Sequence, residues 1–335
     1  MPTMPDIICT VAIPVYNRIR YLRGAVDSVL NQDVNGQKVE ILIVDDGSRE
    51  DVWRELQTLS HPSIKLHRNA KNLGLFPNWN ECLRLAQGRY FKILCSDDVL
   101  APGTLAKEIS FMEGHPDVAL LSTRGVYVDT QDRVVGQTGT LLKGGTYDGS
   151  LATKQLLQYY FRTGVSAFNY PSGTLVPTII AREVGGYDTT MRHVGDLDFF
   201  YKVMTRGRLG IADWEGCRIT LHPEQEGAIQ SVKTYGVEEN FTIIGRHRHL
   251  FSDGEYNQLR RLHCGLTLWY GVKLLAKKNL QGFRDYGRVA YREACTRRGL
   301  LDLLAGFAQF VFWKGYLYLF ADRSPWVASL KSSQM

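Results

Sequence analysis

Residues 72–98 read NLGLFPNWNECLRLAQGRYFKILCSDD, and this stretch decides the fold. Pro77–Ala86 predicts a helix, and Tyr90–Leu94 predicts a buried strand that runs directly into Ser96-Asp97-Asp98. Outward from it the same alternation repeats. Ile7–Val15 is a β-like run, Arg18–Leu30 is amphipathic, and Glu40–Val44 is a compact apolar run that ends in acids. Asp51–Leu59 has helical spacing and Ile64–Leu66 predicts a short strand. Pro102 stands where a first helical turn begins and Gly114 where the same helix stops. Strands alternating with helices at this spacing predict βαβ units, hence an α/β chain with a mostly parallel central sheet flanked by helices. Such sheets bind ligands beyond the carboxyl ends of their strands. Three polar clusters stand there: Tyr16-Asn17, Asp45-Asp46-Gly47-Ser48 and Ser96-Asp97-Asp98.

The rest of the chain is organised differently. The region from Leu120 to Gly216 is Gly-rich and less periodic, with Gly144-Gly145 and Gly185-Gly186 as turn markers. It predicts β structure with helices near 151–162 and 196–205. After about Ser231 the chain reads as mainly helical, so the expected division is 1–235 and 236–335. Residues 299–320, GLLDLLAGFAQFVFWKGYLYLF, are apolar but interrupted by Asp302, Gln309 and Lys314, too short in their runs for a spanning helix. Two readings stand: an in-plane interfacial helix, or an apolar helix packed on the body.

Composition excludes several classes. At 335 residues, 44% hydrophobic and 22% charged, the chain is not a disordered, collagenous or disulfide-rich one. Its six cysteines form no CxxC pair, which argues against a zinc ribbon or a thioredoxin-like centre. Met1–Val15 has no readable secretory signal, so a reduced, cytoplasmic setting is expected. Charge is uneven: residues 241–335 hold 15 Lys and Arg against 6 Asp and Glu, a net +9, whereas the other 240 residues sum to −3. A basic end suggests an anionic partner such as a membrane surface, or simply a solvated Arg-rich set of helices.

The polar clusters suggest chemistry. Asp97-Asp98 follows a strand directly, where two carboxylates suit Mg²⁺ or Mn²⁺ shared with substrate phosphates; alternatively they cap a helix. Asp45-Asp46-Gly47-Ser48 can accept from a base N–H or a ribose hydroxyl, or can cap the strand-to-helix turn. Tyr16 offers a face on which base stacking is worth about 1–3 kcal/mol, or is a rim tyrosine. Asp196, in Gly195-Asp196-Leu197-Asp198, caps a helix or serves as a general base. His222 follows a strand-like Cys217–Leu221. The signatures GxxxxGK[ST], GxGxxG after the first strand, HExxH and GxSxG are all missing, which disfavours P-loop, Rossmann dehydrogenase, zincin and serine hydrolase chemistry.

Taken together, VAIPVYNR (11–18), ILIVDDGSRED (41–51), the 72–98 stretch, GGYD (185–188) and GDLDFFYKV (195–203) resemble the inverting family 2 glycosyltransferases of GT-A fold. LHPEQEGAIQS (221–231) resembles the His-containing segment that often follows in that family. The matches run in family order over about two thirds of the chain. The resemblance implies a Rossmann-like GT-A sheet and a nucleotide-sugar donor, UDP- or dTDP-linked. It further implies that Pro14 and Tyr16 border the base, that Asp45, Asp46 and Asn78 lie at the base, and that Asp97 faces ribose. Asp98 binds Mg²⁺ or Mn²⁺, His222 approaches the metal or diphosphate, and Asp196 is the catalytic base. The basic, aromatic end, beside that resemblance, suggests a glycan or lipid-linked hydroxyl as acceptor, in surface polysaccharide synthesis, with no nucleic-acid partner. The basic, aromatic end would then contact the inner face of the membrane. Two positions depart from the pattern: Cys95 stands where many members have a first acid, and Gly195 where many have Glu. The rival readings are a sugar nucleotidyltransferase, which would place a glycine-rich loop after the first strand, and a silent glycan-binding scaffold.

Overall fold

The structure, a computed structural model, describes residues 6–138, 142–163, 170–222, 224–225, 233–294, 304–308 and 310–311 of the chain. The chain divides into two compact units: residues 1–149, 168–190 and 195–222 form the first, and residues 150–167, 191–194 and 223–335 the second.

The first unit is an open sheet flanked by helices. Strand β1 (Ile7–Val15) is continuously buried from Cys9 to Ile13, as expected of a strand covered on both faces. Cys9, Val11, Ile13 and Val15 join Leu22, Val26 and Val29 of α1 (Leu22–Leu30) in the main core, together with Ile41 and Ile43 of β2 (Lys38–Asp45). Helix α2 (Glu50–Leu56) leads to β3 (Ile64–Arg68), and α3 (Leu75–Leu85) to β4 (Tyr90–Ile93). These four strands lie in the order β3-β2-β1-β4, all parallel, as the alternation predicts.

Beyond β4 the sheet becomes mixed. Strand β9 (Thr174–Pro177) runs antiparallel to β4, and β6 (Val118–Val128) antiparallel to β9. Strand β10 (Arg208–Thr220) runs parallel to β6, and the short β5 (Val99–Leu100) closes the order antiparallel to β10. Strands β7 (Val134–Gln137) and β8 (Gly145–Asp148) add antiparallel edges on β6 and β10. Helices α4 (Thr104–Gly114), α6 (Thr178–Glu183) and α7 (Gly195–Met204) complete this part; Gly103, with φ 66°, precedes α4. The reversal of direction at β9 brings a turn at Pro171–Gly173 alongside the end of β4.

The second unit is helical where described: α5 (Gly149–Thr163, entering from the first unit), α8 (Tyr235–Arg246), α9 (Asp253–Ala276) and α10 (Leu280–Ala294). A capping box starts α9, with the Ser252 hydroxyl accepting the Glu255 N–H while the Glu255 carboxylate accepts the Ser252 N–H. Cys264, Ala290 and Ala294 form one small core, and Val237, Tyr286 and Val289 another. No helix among the described residues is long and apolar enough to cross a membrane. The 299–320 segment lies outside the described residues, apart from the helical 304–308 and 310–311.

Candidate active site

The loops after β1, β2 and β4 converge because the three strands are adjacent and parallel. Val15 is in register with Asp45, and Pro14, half-buried, with Val44. The β1 and β2 loops are stitched together: Asn17 donates its N–H to Ser48 Oγ (2.8 Å), and Asn17 Oδ1 accepts from Arg49 N (2.9 Å). Asn17 takes φ 55°, which asparagine tolerates better than most residues. Tyr16 beside it is 47% exposed.

The paired aspartates of VDDGS have different surroundings. Asp45 is fully buried, accepts the Ser48 N–H and pairs with Arg68 Nε at 3.2 Å. Arg68 is its register partner across β2 and β3. Asp46 is also buried, and it organises the segment that opens α3. Its Oδ1 accepts from Asn69 Nδ2 and Leu73 N, both at 2.9 Å, and its Oδ2 from Gly74 N at 3.0 Å. Asn69 Nδ2 also donates to Asn78 Oδ1 (2.9 Å), so one amide links Asn78 to Asp46. Gly47 has φ 68°, and a Cβ there would come 2.7 Å from the Lys71 backbone. Only glycine lets the two loops approach this closely.

Asp97 and Asp98 likewise diverge. Asp98 is buried, with Oδ2 accepting the Ser172 hydroxyl proton at 2.6 Å and Oδ1 the Thr220 N–H at 3.3 Å. Pairing of Val99 with Arg218 puts Asp98 next to the end of β10, which explains the reach to Thr220. Asp97 is half-buried and meets His222 Nε2 at 2.9 Å, while the His222 ring packs 5.1 Å from Tyr21. Burial, and then the charge of Asp97, push the Asp98 carboxyl up to about 8. Burial, with Asp98, Asp97 and Asp196 adding to it, holds the Cys95 thiol well above its usual range. Ligand atoms of Cys95, Asp97 and Asp98 all lie within 4.8 Å of one another. The two carboxylates of this group suit a hard divalent cation, and the Cys95 thiol does not: the carboxylates repel each other in a poorly solvated place, and a cation would relieve that repulsion.

Asp196 sits in the first turn of α7, where a carboxylate is favoured by the helix dipole. Its Oδ1 accepts the Leu197 N–H at 2.8 Å, and its charge reaches Cys95 and Tyr187. Gly195 is required by packing. A Cβ there would lie 2.6 Å from the Phe76 ring, which is itself fully buried against Trp79. His222 is described, whereas most of the motif after it, residues 226–231, lies outside the described residues.

Four residues of this centre escaped the sequence reading: Arg68, Asn69, Ser172 and Thr220. A fully buried Asp45 needs a cation nearby, and the strand-end arginine of β3 was the one available signal. Ser172 and Thr220 come from segments 74 and 122 positions away from Asp98, with no motif to mark them.

The part of the site after β1, β2 and β4 lies in a region with known relatives. Residues 10–175 match the family described as Glycosyl transferase family 2. An uncharacterized protein of Mycobacterium tuberculosis (strain CDC 1551 / Oshkosh) is 29% identical over 206 residues, 59% of this chain and 62% of that protein. Chondroitin synthase of Escherichia coli is 32% identical over 161 residues, 46% of this chain and 22% of that enzyme. The chain therefore spans less than two thirds of either relative. The structure of S. aureus TarS 1–349 in complex with UDP-GlcNAc has a TM-score of 0.60 at 16% identity, covering 93% of this chain and 92% of that one. At that identity the likeness is one of fold, and the shared fold is GT-A. The order of the motifs and the match over residues 10–175 agree: residues 10–175 of the chain are a glycosyltransferase family 2 domain.

Proposed function

We propose that this protein is an inverting glycosyltransferase that moves a sugar from a UDP- or dTDP-linked donor to a hydroxyl of a glycan or lipid-linked acceptor in surface polysaccharide synthesis. The observation that carries the reading is the meeting of Asp97, Asp98 and His222 with Asp196 beyond the carboxyl ends of β1, β2 and β4. The fold shared with a UDP-GlcNAc-bound TarS and the relationship to chondroitin synthase support the donor and acceptor classes.

Each residue has a role in this reading. Tyr16, exposed, offers its ring to the base beside Pro14, and Asp45, Asp46 and Asn78 build the floor of the base pocket. Asp97 faces the ribose, and Asp98 holds Mg²⁺ or Mn²⁺ with His222 nearby. When bound, that cation neutralises charge on the departing diphosphate. Asp196 takes the proton of the acceptor hydroxyl as that oxygen attacks the anomeric carbon from the face opposite the leaving group. One C–O bond forms, the bond to the β-phosphate oxygen breaks, and the configuration inverts. General-base help of this kind is worth about 10²–10⁴ in rate. The basic residues after position 240 favour a cytoplasmic membrane face carrying anionic lipid, which liposome flotation tests directly.

The deciding experiment combines donor screening with product stereochemistry. UDP- and dTDP-sugars are supplied with Mn²⁺ or EDTA, and nucleoside diphosphate release is followed. One nucleotide class should be consumed only with metal. Asp196→Asn should abolish transfer while leaving donor affinity within about threefold, since the amide keeps the shape but accepts no proton. A retained anomeric configuration, or full activity of Asp196→Asn, overturns the mechanism.

A further inference from the structure

Asp98 is held by a residue that no motif includes. Ser172 is fully buried in the turn Pro171–Gly173. The pairing of Phe91 with Val176, continued toward the end of β4, sets Ser172 opposite Cys95. Its hydroxyl accepts the Cys95 N–H at 3.1 Å and donates its proton to Asp98 Oδ2 at 2.6 Å. One hydroxyl thus ties both ends of the Cys95–Asp98 loop to the turn that precedes β9. A contact of 2.6 Å is a close O–H···O hydrogen bond.

The turn carrying Ser172 is clamped. Lys92, on β4 and fully buried, donates to the carbonyls of Ser172 (3.0 Å) and Thr174 (2.9 Å) and to Glu108 Oε1 (3.1 Å). Thr123 Oγ1 donates to the Gly173 carbonyl at 3.0 Å, and Thr174 Oγ1 to that of Pro171 at 2.8 Å. Every carbonyl from Pro171 to Thr174 therefore meets a buried donor. A buried ion pair such as Lys92–Glu108 contributes little net stability compared with a pair of apolar side chains; the advantage of the ammonium here is direction, because it fixes two carbonyls flanking Gly173 at once. The consequence is a hydroxyl with almost no freedom, aimed at one oxygen of Asp98.

We propose that Ser172 is a positioning residue that orients Asp98 for the divalent cation, with Lys92 and Thr123 locking the turn that presents it. This rests on the reading of Asp98 as a cation ligand. Outer-shell partners of this kind typically change metal affinity by about 10- to 100-fold.

The test is Mn²⁺ titration of the full-length protein by electron paramagnetic resonance in the presence of UDP, for wild type, Ser172→Ala and Ser172→Thr. Ser172→Ala should weaken Mn²⁺ binding by about 10- to 100-fold, whereas Ser172→Thr, which keeps the hydroxyl, should stay within about threefold. UDP affinity in EDTA should not change. Donor turnover of Ser172→Ala should recover when Mn²⁺ is raised to saturation, a rescue that a folding defect does not permit. If Ser172→Ala fails to fold, Ser172→Cys, close in volume and a weak donor, carries the same expectation. Wild-type Mn²⁺ affinity in the folded variant, or activity that saturating Mn²⁺ leaves unrestored, overturns the proposal. A wild type that binds no Mn²⁺ overturns the cation site itself, and the positioning role with it.

Discussion

Replacing Lys92 by methionine removes one ammonium and strands three acceptors. Lys92 Nζ lies within 3.1 Å of Glu108 Oε1 and of two backbone carbonyls, and both ion-pair side chains are fully buried. Breaking a buried pair from one side usually costs about 3–5 kcal/mol, because a lone charge remains in the core. Burial already raises the Glu108 carboxyl while Lys92 opposes the rise, so the stranded acid can take up a proton. That escape keeps the ion-pair part near the lower figure, about 3 kcal/mol. Each carbonyl that loses its donor adds about 1 kcal/mol, for a total near 5 kcal/mol. At about 2–4 °C per kcal/mol for a unit of this size, the transition should fall by about 10–20 °C. Lys92→Met/Glu108→Leu removes the stranded charge and should recover about 2–3 kcal/mol, leaving the deficit of the carbonyls. Urea unfolding followed by tryptophan fluorescence measures all three proteins. A loss below about 1 kcal/mol in the single variant, or a double variant no more stable than the single, would refute the reasoning.

Three further outcomes are expected. Gly195→Ala forces a Cβ onto the Phe76 ring and should destabilise by about 1–3 kcal/mol in urea unfolding, and a neutral result would show that the ring can yield. His263 is fully buried; its Nε2–H donates to the Val237 carbonyl at 2.8 Å, and burial holds the imidazole down at about 4. Its folded value lies below the unfolded 6.5, so the associated stability is complete above pH 6.5 and is lost as pH falls toward 4, about 3 kcal/mol in all. His263→Phe should flatten that part of the pH–stability curve, and identical slopes in both proteins would sink the assignment. Glu239 accepts the N–H groups of Arg192, His193 and Val194 at 2.6, 3.0 and 2.9 Å, just before α7. Glu239→Ala should cost about 2–3 kcal/mol and speed amide exchange at 192–194; unchanged protection there would count against the clasp.

Local features are legible in the residues alone. Apolar runs and strand-to-helix alternation place β1 to β4 and their helices, because period and apolar run length are properties of consecutive residues. The carboxylates at strand ends followed, since an apolar run ending in acids leaves those acids at the mouth of a parallel sheet. What each acid does was not local. Asp45 faces Arg68 and Asp46 faces the 69–74 segment, although the two are neighbours, because successive residues leaving a strand point in different directions. Lys92 is the one charged residue in YFKIL and carries no motif, yet the reversal of β9 surrounds it with carbonyls and makes it the clamp of a turn 80 positions away. The antiparallel β9 and β5 carry no turn or period signal that names their partners. Their register alone brings Ser172 and Thr220 to Asp98, so the tertiary structure decided how the acid is held. Side-chain chemistry is written residue by residue, whereas the partners that orient it are chosen by strand pairing across long stretches of chain, and that pairing is settled only when the whole sheet forms.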